Sequence, residues 1–456
     1  MVTITWIHST VVRVGEIGTP LFRRVRERPT VRQKVQGRTT VEGMTSPAFT
    51  GHIPGDRAYR RLIAGLFFAG VATFAQLYSP QAVLPLIASE FDVEPATAAL
   101  AVSATTLGLA ATVIPWSAVA DRVGRVPAMA VGIVAATVFG LLAPLSSDLE
   151  ILLALRLLEG VGLGAVPAIA LAYLSEEVDA AHTAAAAGSY IAGTTIGGLS
   201  GRLMAGPIGD IADWRIGVLA VAVVCVASAV LFLVLVPRAR GFVPLRLRVT
   251  RGPSLPERLA ENLRSRRQLA LYAQGFLLMG GFVALYNYLG FRLTEPPYSL
   301  PHTVVGLLFL AYLAGTVASP VAGTLASRFG RLPMLLVSSA VMAAGTALTL
   351  VPVIVAILAG LLVLTAGFFA AHAVASGWAP AASEPDARAQ ASALYYLGYY
   401  AGSSLFGWSL GFVFAWAGWD GVALAVLALI ATSAVLAGAA LRHRRAREVR
   451  GAGSGP

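Results

Sequence analysis

The stretch Ala120-Asp121-Arg122-Val123-Gly124-Arg125-Val126-Pro127 returns about 206 residues later as Ala326-Ser327-Arg328-Phe329-Gly330-Arg331-Leu332-Pro333. Each copy follows an apolar run and precedes another. Farther along, Gly193, Gly197 and Trp214 are matched by Gly398, Gly402 and Trp419 at nearly the same offset. An offset kept over so long a distance is the mark of a chain built as two homologous halves, each a set of spans that packs around a shared axis.

Outward from these loops the chain is strongly apolar. Hydrophobic residues make up 57% and charged residues 12%, with a mean hydropathy of +0.73, whereas a soluble chain is about one quarter charged. A bilayer core requires roughly 20 apolar residues per spanning helix. Runs of that kind occupy 61–87, 96–119, 128–146, 151–174, 185–206, 216–236, 269–292, 303–324, 334–351, 353–378, 389–414 and 420–441. Stretches such as 216–236 and 421–441 are apolar on every face rather than alternating, which excludes a β-barrel. The fold class is therefore all-α integral membrane, with twelve transmembrane helices in two pseudo-symmetric six-helix halves, 61–236 and 269–441, joined by a basic linker at 237–268.

The net charge of +11 does not imply a nucleic-acid partner, because the basic residues gather in loops and tails beside the apolar runs. Arg122 and Arg125, the linker arginines, Arg328 and Arg331, and the tail 442–456 all fall on one side. Glu90, Asp92, Glu94, Asp148, Glu150, Asp210 and Asp213 fall on the other. Positive-inside topology then places both termini in the cytoplasm, and the use of Arg almost throughout, with Lys34 the one lysine and Ala, Gly and Val abundant, points to a GC-rich bacterial genome and so to a bacterial inner membrane. Residues 1–60 form a basic tail of disordered composition; either the tail is a cytoplasmic extension or the chain begins at Met44. Cys225, the single cysteine, lies in an apolar run, which leaves no disulfide framework and no cysteine metal site.

The quoted loops carry a resemblance to the major facilitator superfamily, and more narrowly to bacterial drug and sugar efflux permeases of the arabinose-efflux type, over residues 60–441. The family signature G-x-L-A-D-R-x-G-R-K/R appears as Ser117 to Val126 and again as Gly323 to Leu332, with Ser117 for the leading Gly, Val126 for the last basic residue, and Ser327 for the acid of the second copy. What the resemblance implies is a gating loop: Asp121, Arg122, Gly124 and Arg125 with Arg328, Gly330 and Arg331. Asp121, near a helix N-terminus and an arginine, would hold the cytoplasmic side shut. Tight turning and topology alone would also account for the glycines and arginines.

Arg156-Leu-Leu-Glu159-Gly160-Val-Gly162 resembles the family's R-x-x-Q-G pattern, linked there to proton transfer, with Glu159 in place of Gln. At this spacing the two ionisable residues share a helix face and can pair, as a proton-coupling site or as a structural clamp. Gly193-Thr194-Thr195-Ile196-Gly197-Gly198 resembles the antiporter motif G-P-x-x-G-G but has Thr194 for Pro. Gly193, Gly197 and Gly201, with Gly160 in the fourth span, read more simply as small residues for close helix packing.

In this architecture the first, fourth, seventh and tenth spans line the solute path. Their polar residues, Gln76, Tyr78, Gln81, Gln274, Tyr286, Asn287 and His372, with Tyr395 and Tyr399 from the eleventh span, are the expected substrate contacts. Aromatic faces with a few hydroxyls and carboxamides suit a neutral or amphiphilic organic solute. An interfacial belt accounts for at least two of Tyr395, Tyr396, Tyr399 and Tyr400. No phosphate-binding loop, metal-spaced histidine cluster or nucleophile set stands out in the sequence, so a non-enzymatic, cofactor-free, monomeric transporter is expected, with protons and a small organic solute as its partners. Efflux is the leading direction; a nutrient importer and a transport-inactive sensor of the same fold are the alternatives.

Overall fold

The computed structural model describes residues 49–242 and 254–441. Residues 1–48 of the expected tail with its alternative start at Met44, three of the linker's arginines (Arg246, Arg248 and Arg251) and the 442–456 tail lie outside the described residues. The first half comprises α1 (Arg57–Tyr78), α2 (Leu84–Phe91), α3 (Pro95–Val123), α4 (Arg125–Leu142), α5 (Leu149–Leu163), α6 (Pro167–Glu177), α7 (Thr183–Ile211) and α8 (Trp214–Leu235). After the linker helix α9 (Leu255–Arg264), the second half comprises α10 (Arg266–Thr294), α11 (His302–Leu307), α12 (Tyr312–Phe329), α13 (Arg331–Leu348), α14 (Ile354–Ala381) and α15 (Arg388–Ala440).

These elements account for twelve membrane crossings. Pairs α1/α2, α5/α6 and α11/α12 are each one crossing interrupted along its length, and α15 is two crossings that meet at Gly418, whose φ of 62° turns the chain. The interruption after α1 has a local cause. Pro80 brings no N–H for the carbonyl of Gln76, and the chain passes through a 3-10 turn at Ser79–Val83 before α2 resumes. The lipid-facing surface is written in the exposed apolar side chains: Val131, Val134 and Val138 on α4, and Val223, Val230 and Val234 on α8, recur at helical spacing.

The repeat seen in sequence is also a repeat of contacts. α7 lies on α1 and the first part of α15 lies on α10, in each case through a glycine stripe. A Cβ at Gly193, Gly197 or Gly201 would stand 2.2, 2.6 or 2.4 Å from the carbonyl oxygens of Phe67, Val71 and Ala75, and one at Gly402 would stand 1.9 Å from that of Phe276. Gly160 approaches α3 in the same way, at 2.0 Å from the Thr105 oxygen. The loop glycines Gly124 and Gly330 share one conformation, φ 104° and 97° with ψ 157° and 151°, which a residue with a Cβ adopts only at a cost.

The linker is less featureless than its composition suggests. Its first residues dock on the end of α6, where the buried Glu177 accepts the N–H groups of Arg240 and Gly241 at 2.6 and 2.5 Å. α9 is amphipathic, and Glu257 accepts the Ser254 N–H at 2.7 Å at its start, which holds the Glu257 carboxyl below the usual carboxylate range.

Candidate functional site

Arg156 lies on α5 where that helix crosses the break between α1 and α2, and it is 1% exposed. Its guanidinium donates to the carbonyls of Ala101 (2.9 Å), Gln76 (3.2 Å) and Leu77 (3.0 Å), and through Nη1 to Glu159 Oε2 at 2.6 Å. The interrupted helix thus supplies acceptors, and the arginine takes them up. Glu159 is fully buried. Its Oε1 makes no hydrogen bond, and neither does Oε1 of Gln76, whose amide donates to Ala72. Both oxygens flank Gly140: a Cβ there would be 2.4 Å from Gln76 Oε1 and 3.2 Å from Glu159 Oε1. Both oxygens lie beside the same glycine, and a proton on Glu159 would bring a donor to that place.

The loop residues form a second charged cluster. Asp121 Oδ1 accepts from Arg125 Nη1 at 2.7 Å, and Arg125 also donates to Glu176 at 2.8 Å while its guanidinium lies 5.4 Å over the Phe242 ring. All three charges belong to the first half, so the Asp121 network ties α3, α4 and α6 together and does not reach the second half. In the second copy Ser327 turns back to the Thr324 carbonyl, Arg328 lies over Phe329, and Arg331 lines an open pocket with Arg267 and Trp378.

Contacts between the halves gather at the other face. From mid-bundle to the face opposite the loop copies, Gln81 donates to Asn287 at 2.7 Å, Ser404 to the Ser103 carbonyl at 2.8 Å, and Thr303 to Asp210 at 2.7 Å, with His302 at 3.3 Å from the same carboxylate. Among the described residues no hydrogen bond joins the halves on the loop side.

The expected substrate residues separate into two groups. Gln81, Asn287 and Tyr286 are committed to interhelical bonds, Asn287 donating to the Gly407 carbonyl and Tyr286 lying 2.8 Å from Thr365 Oγ1; Gln274 is likewise tied to Ser433. His372 and the tyrosines form an aromatic tract. His372 Nδ1 is 3.0 Å from Tyr395 Oη, its ring centre is 4.8 Å from that of Tyr399, and it stacks on Phe368, which lies 3.9 Å from Phe282. The belt expected for part of the tyrosine run is not there. Tyr395 and Tyr400 are 1% exposed, and Tyr396 and Tyr399 turn toward the same histidine, because all four fall on the face of α15 that meets the interior.

Two groups escaped the sequence reading. Glu176 completes the loop network. Arg202, one position past the glycine stripe, is 2% exposed and donates to Gln81 Oε1 at 2.8 Å and to the Gly198 carbonyl at 2.6 Å. A charged residue within an apolar run was the available signal. Among the described residues no three His, Cys, Asp or Glu side chains converge as a metal site.

The profile of the Major Facilitator Superfamily matches residues 66–295 and 295–456. The chain belongs to this superfamily. It is 42% identical over 398 residues to the inner membrane transport protein YnfM of Escherichia coli K12, covering 86% of this chain and 92% of that one. It is 35% identical to the MFS-type transporter YybF of Bacillus subtilis 168, covering 81% and 90%. Its fold matches a mutant of the nucleoside transporter NupG, with a TM-score of 0.69 at 13% identity over 84% of this chain and all of that one. It also matches a bacterial homologue of the lysosomal transporter Spinster in an inward-facing, occupied form, with a TM-score of 0.67 at 15% identity over 85% and 97%. The chain is a multi-pass membrane transporter, and not an enzyme.

Proposed function

We propose that this superfamily member is a proton-coupled secondary transporter that exports a small organic solute across the bacterial inner membrane by alternating access, as a monomer with both termini in the cytoplasm. The observation that carries the reading is the buried Arg156–Glu159 pair, with Glu159 Oε1 and Gln76 Oε1 each without a hydrogen bond beside Gly140. A carboxylate buried at mid-bundle that takes a proton gives the protonated and charged proteins different preferred packings. Arg156 links that event to the break in the first crossing, which also carries Tyr78 and Gln81 toward the second half.

With basic loops inside, the contacts between the halves are gathered at the periplasmic face, which corresponds to a solute path open to the cytoplasm. In the outward-open arrangement the Asp121–Arg125–Glu176 cluster would meet the second half and close the cytoplasmic side. Two pseudo-symmetric halves complete the path, which supports a monomer. Tyr78, Tyr399, Tyr395 and His372 line it, with Gln76, Gln81, Tyr286 and Asn287 holding its walls.

The test uses everted membrane vesicles carrying an acid-inside gradient, read with a pH-sensitive dye while sugars and drug-like compounds are added. Export coupled to protons collapses the gradient for at least one compound in the wild type and not in a well-expressed Glu159→Gln variant. A gradient untouched by every compound, together with uptake by whole cells, would replace export by import.

A further inference from the structure

Three arginines are buried among the described residues, and two of them face a carboxylate: Arg125 faces Asp121 and Glu176, and Arg156 faces Glu159 at 2.6 Å. Arg202 differs. Among the described residues no carboxylate lies within 4.0 Å of it, and its Nη2 makes no hydrogen bond. Its charge is met by three aromatic faces, with the guanidinium carbon 4.5 Å from the ring centre of Tyr78, 4.7 Å from Tyr312 and 5.0 Å from Phe309.

The cage straddles the seam. Tyr78 and Gln81 come from the first half, Phe309 and Tyr312 from the second. From Tyr312 the rings continue without interruption to Tyr286 at 5.0 Å and to Phe282 at 5.4 Å, then through Phe368 to His372 and Tyr399. A cation stripped of water at this depth is costly, and cation–π faces with two neutral acceptors recover only part of what a carboxylate provides. The positive end of an aromatic tract is therefore left without an anion, at the place where the halves meet.

We propose that Arg202 is the recognition group for the solute, and that the solute is an organic anion: a carboxylate bonded to the Arg202 fork with an aromatic or apolar body laid along the Tyr312–Tyr286–Phe282 tract. This rests on the reading of the seam as the solute path and replaces the neutral solute that the side-chain inventory suggests. Because the cage draws on both halves, anion binding also strengthens contacts that must break when the halves rock, which couples occupancy to the seam.

The experiment uses the full-length protein in lipid nanodiscs with no proton gradient. Equilibrium dialysis measures benzoate, phenylacetate and indole-3-acetate beside their neutral amides, benzamide, phenylacetamide and indole-3-acetamide. At least one acid should bind the wild type, with its amide weaker by about 10-fold or more. Arg202→Gln should weaken the acid by roughly 10–100-fold and leave the amide unchanged, while Arg202→Lys restores part of the difference. Amides that bind as tightly as acids, an acid whose binding survives Arg202→Gln, or a wild type that binds none of the acids each overturn the proposal. The acid–amide comparison needs no variant, so it stands if Arg202→Gln does not fold. Acid binding with no proton coupling in vesicles would sink the exporter reading alone; neutral compounds that collapse the gradient while the acids fail to bind would sink the anion reading alone.

Discussion

Arg156 is fixed by three carbonyls and one carboxylate, and those partners set what substitution does. Arg156→Met strands the Glu159 carboxylate and the Ala101 and Leu77 oxygens in a buried site, and should cost about 3–5 kcal/mol, read as a lowered midpoint in thermal unfolding of the detergent-solubilised protein. Glu159→Gln behaves differently. Its amide keeps a neutral acceptor for Arg156 in place of the carboxylate, so stability should fall by about 1–3 kcal/mol, less than for Arg156→Met, while proton-driven transport is lost. A Glu159→Gln protein that transports at the wild-type rate and pH profile would reduce the pair to a clamp. Both residues were legible in the sequence because charge inside an apolar run is conspicuous and their spacing puts them on one face. The Arg202 cage was not, because two of its three rings come from the other half of the chain and no local pattern points to them.

At the scale of the helix, the glycines of α7 act through backbone approach and not through flexibility. A side chain at Gly197 would enter the Val71 peptide at 2.6 Å, whereas one at Gly188, on the same helix, meets nothing within 4 Å. Gly197→Leu should therefore destabilise the solubilised protein by roughly 1–3 kcal/mol, and Gly188→Leu should stay within about 0.5 kcal/mol, measured side by side by thermal unfolding. Equal effects would mean that the stripe does not set the α1–α7 distance. The crossings themselves were readable from apolar runs and basic loops. Their interruptions were not: Pro80 breaks the first crossing, while Pro115, Pro207 and Pro320 lie inside helices that continue through them. Whether a proline ends a helix depends on neighbours that re-satisfy the freed carbonyl, as Arg156 does for Gln76, and that is a tertiary fact.

For the whole molecule the informative asymmetry is that, among the described residues, the hydrogen bonds between the halves run from mid-bundle to one face. The repeat in the sequence foretold two halves, and it could not foretell which end is closed, since both ends carry the polar residues such a seal needs. Asp210 and the residues at the start of α11 are the outermost part of the seal, with the Asp210 carboxylate against Thr303 and His302. Replacing Asp210 and Thr303 by cysteine, in a protein whose buried Cys225 is changed to alanine, puts two thiols where these side chains now touch. If the halves part here in every cycle, oxidation should close a cross-link and bring transport to background, and reductant should restore it. Solute binding from the loop side should survive the cross-link, because among the described residues no hydrogen bond joins the halves on that side. A cross-linked protein that transports at the rate of the reduced one would show that the seal stays shut throughout the cycle, and alternating access about this seam would have to be abandoned.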